Sequence, residues 1–447
     1  MKKILLCFLL GTGLATAQES RMLSLSEAVN YALEHKAEAE KARLDIEKGD
    51  AQIAEVRANA LPNIEINGNT TFNPLLQETV LPGEIFGMPG ETMKVAFGQK
   101  WNSNLTAQLT QVLFNQSVFT GLKAARSTKE FYLLNAELTE EQVIEKVATA
   151  YYQVYQSQQM LDNLQKNLEF TWKTVEVVKG LFDTGLAKKI DYDRSKVALN
   201  NLTASRQQLL NAVQLSQNAL KFMIGMPIDQ AIVLPEQTFA PALLLQADTD
   251  YLTDRTELKL LDKQIELLNF QKKASEAEYY PSASLFANYG YLGQGNEVPL
   301  WNGEDKGVFW SDLSSVGVSI KIPVFNGFAT KSRIRQNQIE IEKAEADRKE
   351  TQLALQLAHS NAMAQLDNSR ITIQNQEENV SLAEEVLQDT QNNYSLGLAS
   401  LNDLLDAERD LQDARNNLTN AQLDYKLAEI QLLKSQGNLR TLNANNL

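Results

Sequence analysis

Four stretches of the chain alternate apolar and polar side chains with a period of two. In the first, Ile64, Ile66, Gly68, Thr70 and Phe72 share one phase, and Asn63, Glu65, Asn67, Asn69 and Thr71 share the other. In the second, Leu105, Ala107, Leu109 and Leu113 oppose Asn104, Thr106, Gln108 and Thr110. In the third, Ala283, Leu285, Ala287, Tyr289 and Tyr291 alternate with Ser282, Ser284, Phe286, Asn288 and Gly290. In the fourth, Val316, Val318, Ile320, Ile322 and Val324 alternate with Ser315, Gly317, Ser319 and Lys321. Alternation of this kind predicts strands, here over 63–73, 103–114, 282–292 and 314–325. The segments Pro74–Lys100 and Gly293–Phe309 are rich in Gly, Pro and acidic residues and read as exposed loops. Trp101, Trp301 and Trp310 stand near the loop edges, and Tyr279, Tyr280, Phe114 and Phe325 mark the opposite strand ends. Aromatic side chains at both ends of apolar-faced strands resemble interfacial girdles.

Elsewhere the period changes to that of helices. Ser24-x-x-Glu27 is a capping box that opens a helix expected to end before Pro62. No proline falls between residues 90 and 226, or after Pro323. Proline breaks helix interiors, so both runs predict long uninterrupted helices. Gln116 to Phe182 alone, at 1.5 Å per residue, makes roughly 100 Å, and about Ala329 to Leu396 is similar. A returning helix follows, with Leu404, Ala407, Leu411, Ala414, Leu418, Ala421, Tyr425, Ala428 and Leu432 at 3–4 spacing. That heptad seam alternates large residues with alanine and favours close helix approach. The matching seam after the first long helix is Tyr192, Ser195, Leu199, Leu202, Arg206, Leu209, Val213, Ser216 and Leu220. Each long helix therefore turns, at Gly185 or Gly397, and returns as an antiparallel partner.

The order of landmarks repeats. Glu38 and Pro62 are spaced as are Glu257 and Pro281; Leu113-Phe114-Asn115 recurs as Val324-Phe325-Asn326; Gly185-Leu186-Ala187 recurs as Gly397-Leu398-Ala399. This predicts a first structural repeat over 18–225, a linker over 226–254, a second repeat over 255–437 and a tail over 438–447. The tip turns are expected at 183–190 and 395–402.

The first 17 residues are expected to lie outside the fold. Lys2 and Lys3, the apolar run from Ile4, and Ala15-Thr16-Ala17 before Gln18 form a secretory signal peptide. Cys7 sits inside the apolar run rather than at its end, which argues against a lipid-attached cysteine. The net charge of −14 argues against nucleic acid as a partner. One cysteine and two histidines in 447 residues leave no zinc ribbon, His-rich metal site or disulfide framework. No nucleophile motif or Gly-rich phosphate loop appears, and the carboxylates fall on solvated helix faces. The expectation is no enzyme, no cofactor and no metal.

Four strands cannot close a membrane barrel, which needs about eight or more, and open sheet edges are not tolerated in lipid. Either several chains share one barrel, or the strands form a soluble sheet. Two chains would give eight strands with a filled interior, three would give twelve with room for a channel, and the polar strand faces favour three or more. At this point the chain resembles the TolC-like outer-membrane efflux proteins, the outer-membrane factors of tripartite exporters. The resemblance rests on the whole plan and on local phrases: Leu23-Ser24-Leu25-Ser26-Glu27-Ala28, Arg255-Thr256-Glu257-Leu258 (with Thr256 where the family has proline), and Gly397-Leu398 through Asp403-Leu404-Leu405-Asp406-Ala407.

The resemblance implies a mainly α protein with a β membrane part. Long antiparallel coiled-coil hairpins would form a trimeric α-helical barrel, joined to a shared 12-stranded β-barrel with four strands per chain. It implies a passive duct of the cell outer membrane with a large periplasmic portion. Its partners would be two further copies in a homotrimer, outer-membrane lipid, a periplasmic adaptor (membrane fusion) protein and an inner-membrane pump. Gly185, Leu186, Ala187, Gly397, Leu398, Ala399 and Ser400 match the family's adaptor-contacting tips. Asp403, Asp406, Tyr394 and Asp191 are the candidates for a periplasmic gate. Asp403 and Asp406 are three apart on one helix face, and repeated around a trimer axis they would form an acidic ring. Ala399 stands where the family often has a basic residue. Two other readings compete: a coiled-coil spacer of the cell envelope with no channel, and a secreted enzyme.

Overall fold

The structure is a computed structural model that describes residues 21–235, 251–253 and 255–443. The expected signal peptide, most of the second half of the linker and the last four residues of the tail lie outside the described residues. Contacts divide the chain into two compact units: one of residues up to Asp45, Leu133–Leu260 and Asp347 onward, the other of Ile46–Tyr132 and Leu261–Ala346.

The second unit is built on a sheet. Strands β2 (Asn63–Phe72), β5 (Trp101–Phe114), β7 (Ser282–Gly295) and β8 (Val308–Lys321) pair antiparallel in the order β2-β5-β7-β8. Register follows the sequence alternation. Ile64, Leu109, Ala287 and Val316 form one cross-strand row; Ile66, Ala107 and Tyr289 form the next. The opposite face carries rows such as Glu65, Gln108, Asn288 and Ser315. Side chains of a strand alternate between faces, so the pairing sums four weak alternations into one apolar and one mainly polar face.

Three strand expectations need correction. The last strand covers 308–321 rather than 314–325: Pro323 has no N–H to donate, and Ile322, Val324 and Phe325 lie outside the ladder. The third extends to Gly295. In the second, a register shift between Val112 and Phe114 takes Leu113 out of the apolar row. The first expected loop also contains a hairpin, β3 (Glu78–Pro82) with β4 (Thr92–Ala96). Gly83 lets its turn close, because a Cβ there would lie 2.4 Å from the Met88 carbonyl oxygen.

The first unit is helical. The expected single opening helix is two, α1 (Leu25–His35) and α2 (Ala37–Ala58), divided at Lys36, whose ψ of 130° is extended. The division comes from packing: Lys36 Nζ donates to the Phe222 carbonyl at 2.8 Å and lies over that ring. Ser24 makes the expected capping box with Glu27. Two long helices, α3 (Gln116–Asp183, 68 residues) and α6 (Ala329–Ser395, 67 residues), each lead into a returning helix, α4 (Lys189–Ile224) and α7 (Leu401–Ser435). A 21-residue helix, α5 (Thr256–Glu276), precedes β7. The helical core gathers Leu23 and Val29 beside α1, Val147 and Tyr151 of α3, Leu220 and Ile224 of α4, and Ile430 and Leu433 of α7. Met226, Ile232 and Leu234 of the linker join it, and β6 (Ile232–Val233) pairs parallel with β1 (Arg21–Met22). Leu439 and Leu442, in the segment read as a tail, are buried there too. Arg255 opens α5 and is almost fully buried, bonded to the Lys434 carbonyl and to Glu257. The local phrase Arg255-Thr256-Glu257 is thus a structural clamp, with Thr256 Oγ1 donating to Glu141 at 2.8 Å.

Candidate functional site

The sheet provides one candidate surface. Its apolar face is open: Ile64, Ile66, Val316 and Ile320 are all well exposed, Val316 at 75%. Exposed rows of β-branched side chains on a sheet face are costly in water and suited to lipid. Aromatic pairs bracket the face. At the loop end, Phe72 packs on Trp101 at 4.6 Å and Tyr291 stacks on Trp310 at 4.7 Å. At the other end, Phe114 meets Phe119 at 6.1 Å, with Tyr279, Tyr280 and Phe325 exposed. Within the described chain, β2 and β8 are edge strands, each with one side of its backbone unpaired.

The two helix turns provide the second candidate. Gly185 has φ 80° and Gly397 has φ 74°, the left-handed region that glycine enters without a Cβ clash. Around Gly185, the Leu186 N–H donates to the Leu181 carbonyl at 2.8 Å and the Gly185 N–H to Phe182 at 2.9 Å. Around Gly397, the Leu398 N–H donates to Asn393 at 2.8 Å and the Gly397 N–H to Tyr394 at 3.0 Å. Both are Schellman motifs, which satisfy the orphan carbonyls of a helix end and reverse the chain. They leave Leu186 at 79% and Leu398 at 76% exposure, while Ala187 and Ala399 are half-buried. Two matching turns thus each present an exposed leucine.

The turns differ in how the next helix starts. Ser400 caps α7 by a full capping box: its Oγ accepts from the Asp403 N–H, and Asp403 Oδ2 accepts from the Ser400 N–H at 2.8 Å. These bonds, the backbone one foremost, hold the Asp403 carboxyl below its ordinary pKa. Lys188 stands at the same place before α4 and makes no side-chain cap. Asp406 is exposed and paired with Arg409 at 3.1 Å. Tyr394 is half-buried, and its hydroxyl pKa is raised, first by burial and then by the charge of Asp191. The charge of Asp191 thus reaches the Tyr394 hydroxyl. It gives Asp403 a local structural partner and Asp406 a cationic one.

Sequence reasoning missed two features of this unit. One is an open groove of about 380 Å³ between α4 and α7, lined by Ile190, Arg194, Val197, Leu405 and Arg409 among others. Arg194 donates to Asn402 at 3.0 Å beside it. The spacing of Ile190 and Val197, seven apart and outside the seam, was the available signal. The other is Glu408, a carboxylate buried to 5% exposure that accepts from Thr171 at 2.7 Å and Thr174 at 3.1 Å. Burial raises its pKa against the lowering effect of both hydroxyls. No helix among the described residues is long and apolar enough to cross a membrane. Among the same residues, no group of His, Cys, Asp and Glu could hold a metal ion.

The architecture of four strands per chain with paired long helices is that of solved outer-membrane channels. VceC from Vibrio cholerae superposes with a TM-score of 0.72 at 19% identity, covering 92% of this chain and 96% of that one. The open-state MtrE channel of Neisseria gonorrhoeae gives 0.70 at 19% identity over 93% and 89%. The class is therefore the fold of these outer-membrane channels, mainly α with a smaller β part, as the sequence led us to expect. The outer membrane efflux protein profile matches residues 28–226 and again 249–438, and the chain belongs to that family. Over nearly its whole length it is similar to outer membrane protein TolC of Vibrio cholerae, at 24% identity over 98% of this chain and 96% of the other. It is also similar to the outer membrane efflux protein BepC of Brucella suis, at 22% over 74% and 71%. The protein is an outer-membrane protein with a large periplasmic portion, and its family and fold are those of a passive channel.

Proposed function

We propose that the chain is one third of a passive duct through the outer membrane and periplasm, serving a tripartite efflux or secretion system. The observation that carries this reading is the sheet: four antiparallel strands with one exposed apolar face, a mainly polar reverse face, and an unpaired edge on both β2 and β8. Open edges in lipid leave backbone N–H and C=O groups without partners, each at a cost of several kcal/mol. Pairing β8 of one copy with β2 of the next removes every edge once the ring closes. Twelve strands from three copies then enclose a wet lumen lined by Asn, Gln, Thr and Ser. The two sequence repeats, 18–225 and 255–437 about the 226–254 linker, each contribute one strand hairpin and one helical hairpin.

The Leu186 and Leu398 turns, with Gly185, Ala187, Gly397, Ala399 and Ser400, support docking of a periplasmic adaptor, which couples the duct to an inner-membrane pump. Asp191, Tyr394, Asp403 and Asp406 are the gate candidates, and in this reading the duct itself performs no chemistry. The test is reconstitution of the purified chain in planar bilayers, with its migration on gels. A heat-resistant trimer with discrete conductance is expected; a trimer without conductance would favour the envelope spacer. Charge reversal at Asp403 and Asp406 together should alter conductance and ion selectivity, and unchanged values sink the acidic ring.

A further inference from the structure

The segment that leaves β8 for α6 carries a feature unlike the rest of the sheet unit. Phe328 is the one non-glycine among the described residues with positive φ, at 65°. A bulky aromatic in the left-handed region is strained, and such strain persists only where the surroundings impose it. What it achieves is visible in the ring positions: Phe328 meets Phe325 edge-on at 5.4 Å, and both rings stay exposed, with Val324 beside them. Phe328 with Lys331, Ser332, Arg335 and Gln336 lines a shallow, open groove of about 640 Å³.

The cations of this stretch are not equally engaged. Arg333 is held by Glu278, which also accepts from the buried Thr330 at 2.8 Å. Arg335 pairs with Glu342 at 3.2 Å through a single nitrogen, and the rest of its fork has no acidic partner among the described residues. Lys331 is exposed and has no acidic partner among the described residues. An exposed aromatic wedge joined to a free ammonium and a singly paired guanidinium matches an acyl chain joined to a phosphate. The groove is also continuous in sequence with the apolar face of β8, which ends at Lys321.

We propose that this groove binds the phosphate headgroup of a phospholipid, from the leaflet on the side where the chain leaves β8 for α6. The inference rests on reading the sheet as membrane-spanning. Phe325 and Phe328 lie among the upper acyl carbons, and Lys331, Ser332 and Arg335 contact the phosphate. Membrane cations of this kind strengthen anionic lipid binding by about fivefold each.

The experiment uses the full chain, with a benzoylphenylalanine photo-crosslinker in place of Ser332, irradiated in its own membrane. An adduct of phospholipid mass is expected. An adduct with a second copy of the chain, or none, overturns the proposal. In parallel, native mass spectrometry counts phosphatidylglycerol retained by the purified oligomer. Lys331→Gln with Arg335→Gln should weaken retention about fivefold per cation, and Phe328→Gly, which suits the backbone, should also weaken it. Equal retention in all variants overturns the proposal. Conductance of the same preparations separates the two readings. A conducting parent with unchanged lipid counts defeats only the lipid site, whereas a non-conducting parent defeats the duct.

Discussion

The two returning helices are nearly equal in length, yet they live in different surroundings. In α7 the seam from Leu404 to Leu432 is buried almost throughout, including Ala407, Leu411, Ala414, Ala421, Tyr425 and Ala428. Of the corresponding seam in α4, only Ser195 and Leu220 are buried. The cause is packing on two sides. α7 bonds to α3 through Asn163–Thr419 and Gln156–Asn420, and to α6 through Arg415–Glu384 and His359–Ser435. α4 touches α7 through Arg194–Asn402 and α3 through the Tyr192–Phe182 stack near its start, and packs on α1 at its end, but keeps Ile190, Val197, Leu215 and Phe222 exposed. The same repeat unit thus yields one helix that completes the subunit's interior and one whose apolar side chains remain open for another surface.

The largest effect that would break this contrast is truncation within the α7 seam. Leu404→Ala should cost about 2–5 kcal/mol, as a buried leucine in a tight site does. The matched exposed change in α4, Val197→Ala, should stay within about 0.5 kcal/mol. Chemical denaturation followed by circular dichroism checks both, and equal losses would mean that α4 is as buried as α7. A more disruptive change, Leu215→Asp, should leave helix content intact while lowering the temperature at which the oligomer dissociates on gels.

The second effect depends on pH. Burial lifts the Glu408 pKa in the folded chain, so the folded state holds that proton more tightly than the unfolded one. Its contribution is complete below the ordinary glutamate value, about 4.3, and is lost as pH rises through the folded value. Glu408→Gln removes that loss and keeps an acceptor for Thr171 and Thr174. Denaturation midpoints of variant and parent should diverge, in the variant's favour, from acidic to neutral pH; parallel curves would refute the assignment.

The smallest effects concern the helix starts. Ser400→Ala should cost about 1 kcal/mol by removing the cap. Lys188→Ser should gain somewhat less than that amount, because α4 lacks a side-chain cap. Amide exchange in the first turn of each helix reads both, with slower exchange expected in the Lys188→Ser variant and faster in Ser400→Ala.

Much of this architecture could be read from residue types, because period-two and heptad patterns report directly on faces. The apolar rows of the sheet follow from Ile64, Leu109, Ala287 and Val316 once pairing is assumed. What could not be read depends on neighbours distant in sequence. The break at Lys36 is imposed by Phe222, far along the chain, and no local signal marks it. The hairpin within the first loop was hidden by its short strands and flanking glycines. The tip turns were legible because glycine in the left-handed region has a local cause. The burial of Glu408 was not: beside Ala407 it reads as a solvated flank, and only the hydroxyls of Thr171 and Thr174 on another helix make it interior. The contrast between α4 and α7 was likewise invisible, since both seams have helical spacing and only Arg206 hinted at a wetter one.

The pairing of β5 with β7 has an arithmetic consequence. It merges two hairpins into a sheet with an even strand count, so its outer edges run in opposite directions. Copies can then be appended indefinitely with the same antiparallel ladder at every junction, whereas an odd count would force a parallel join. The ladder is therefore blind to ring size: two, three or four copies satisfy its hydrogen bonds equally. Stoichiometry has to be dictated by curvature, the angle at which neighbouring helical hairpins meet.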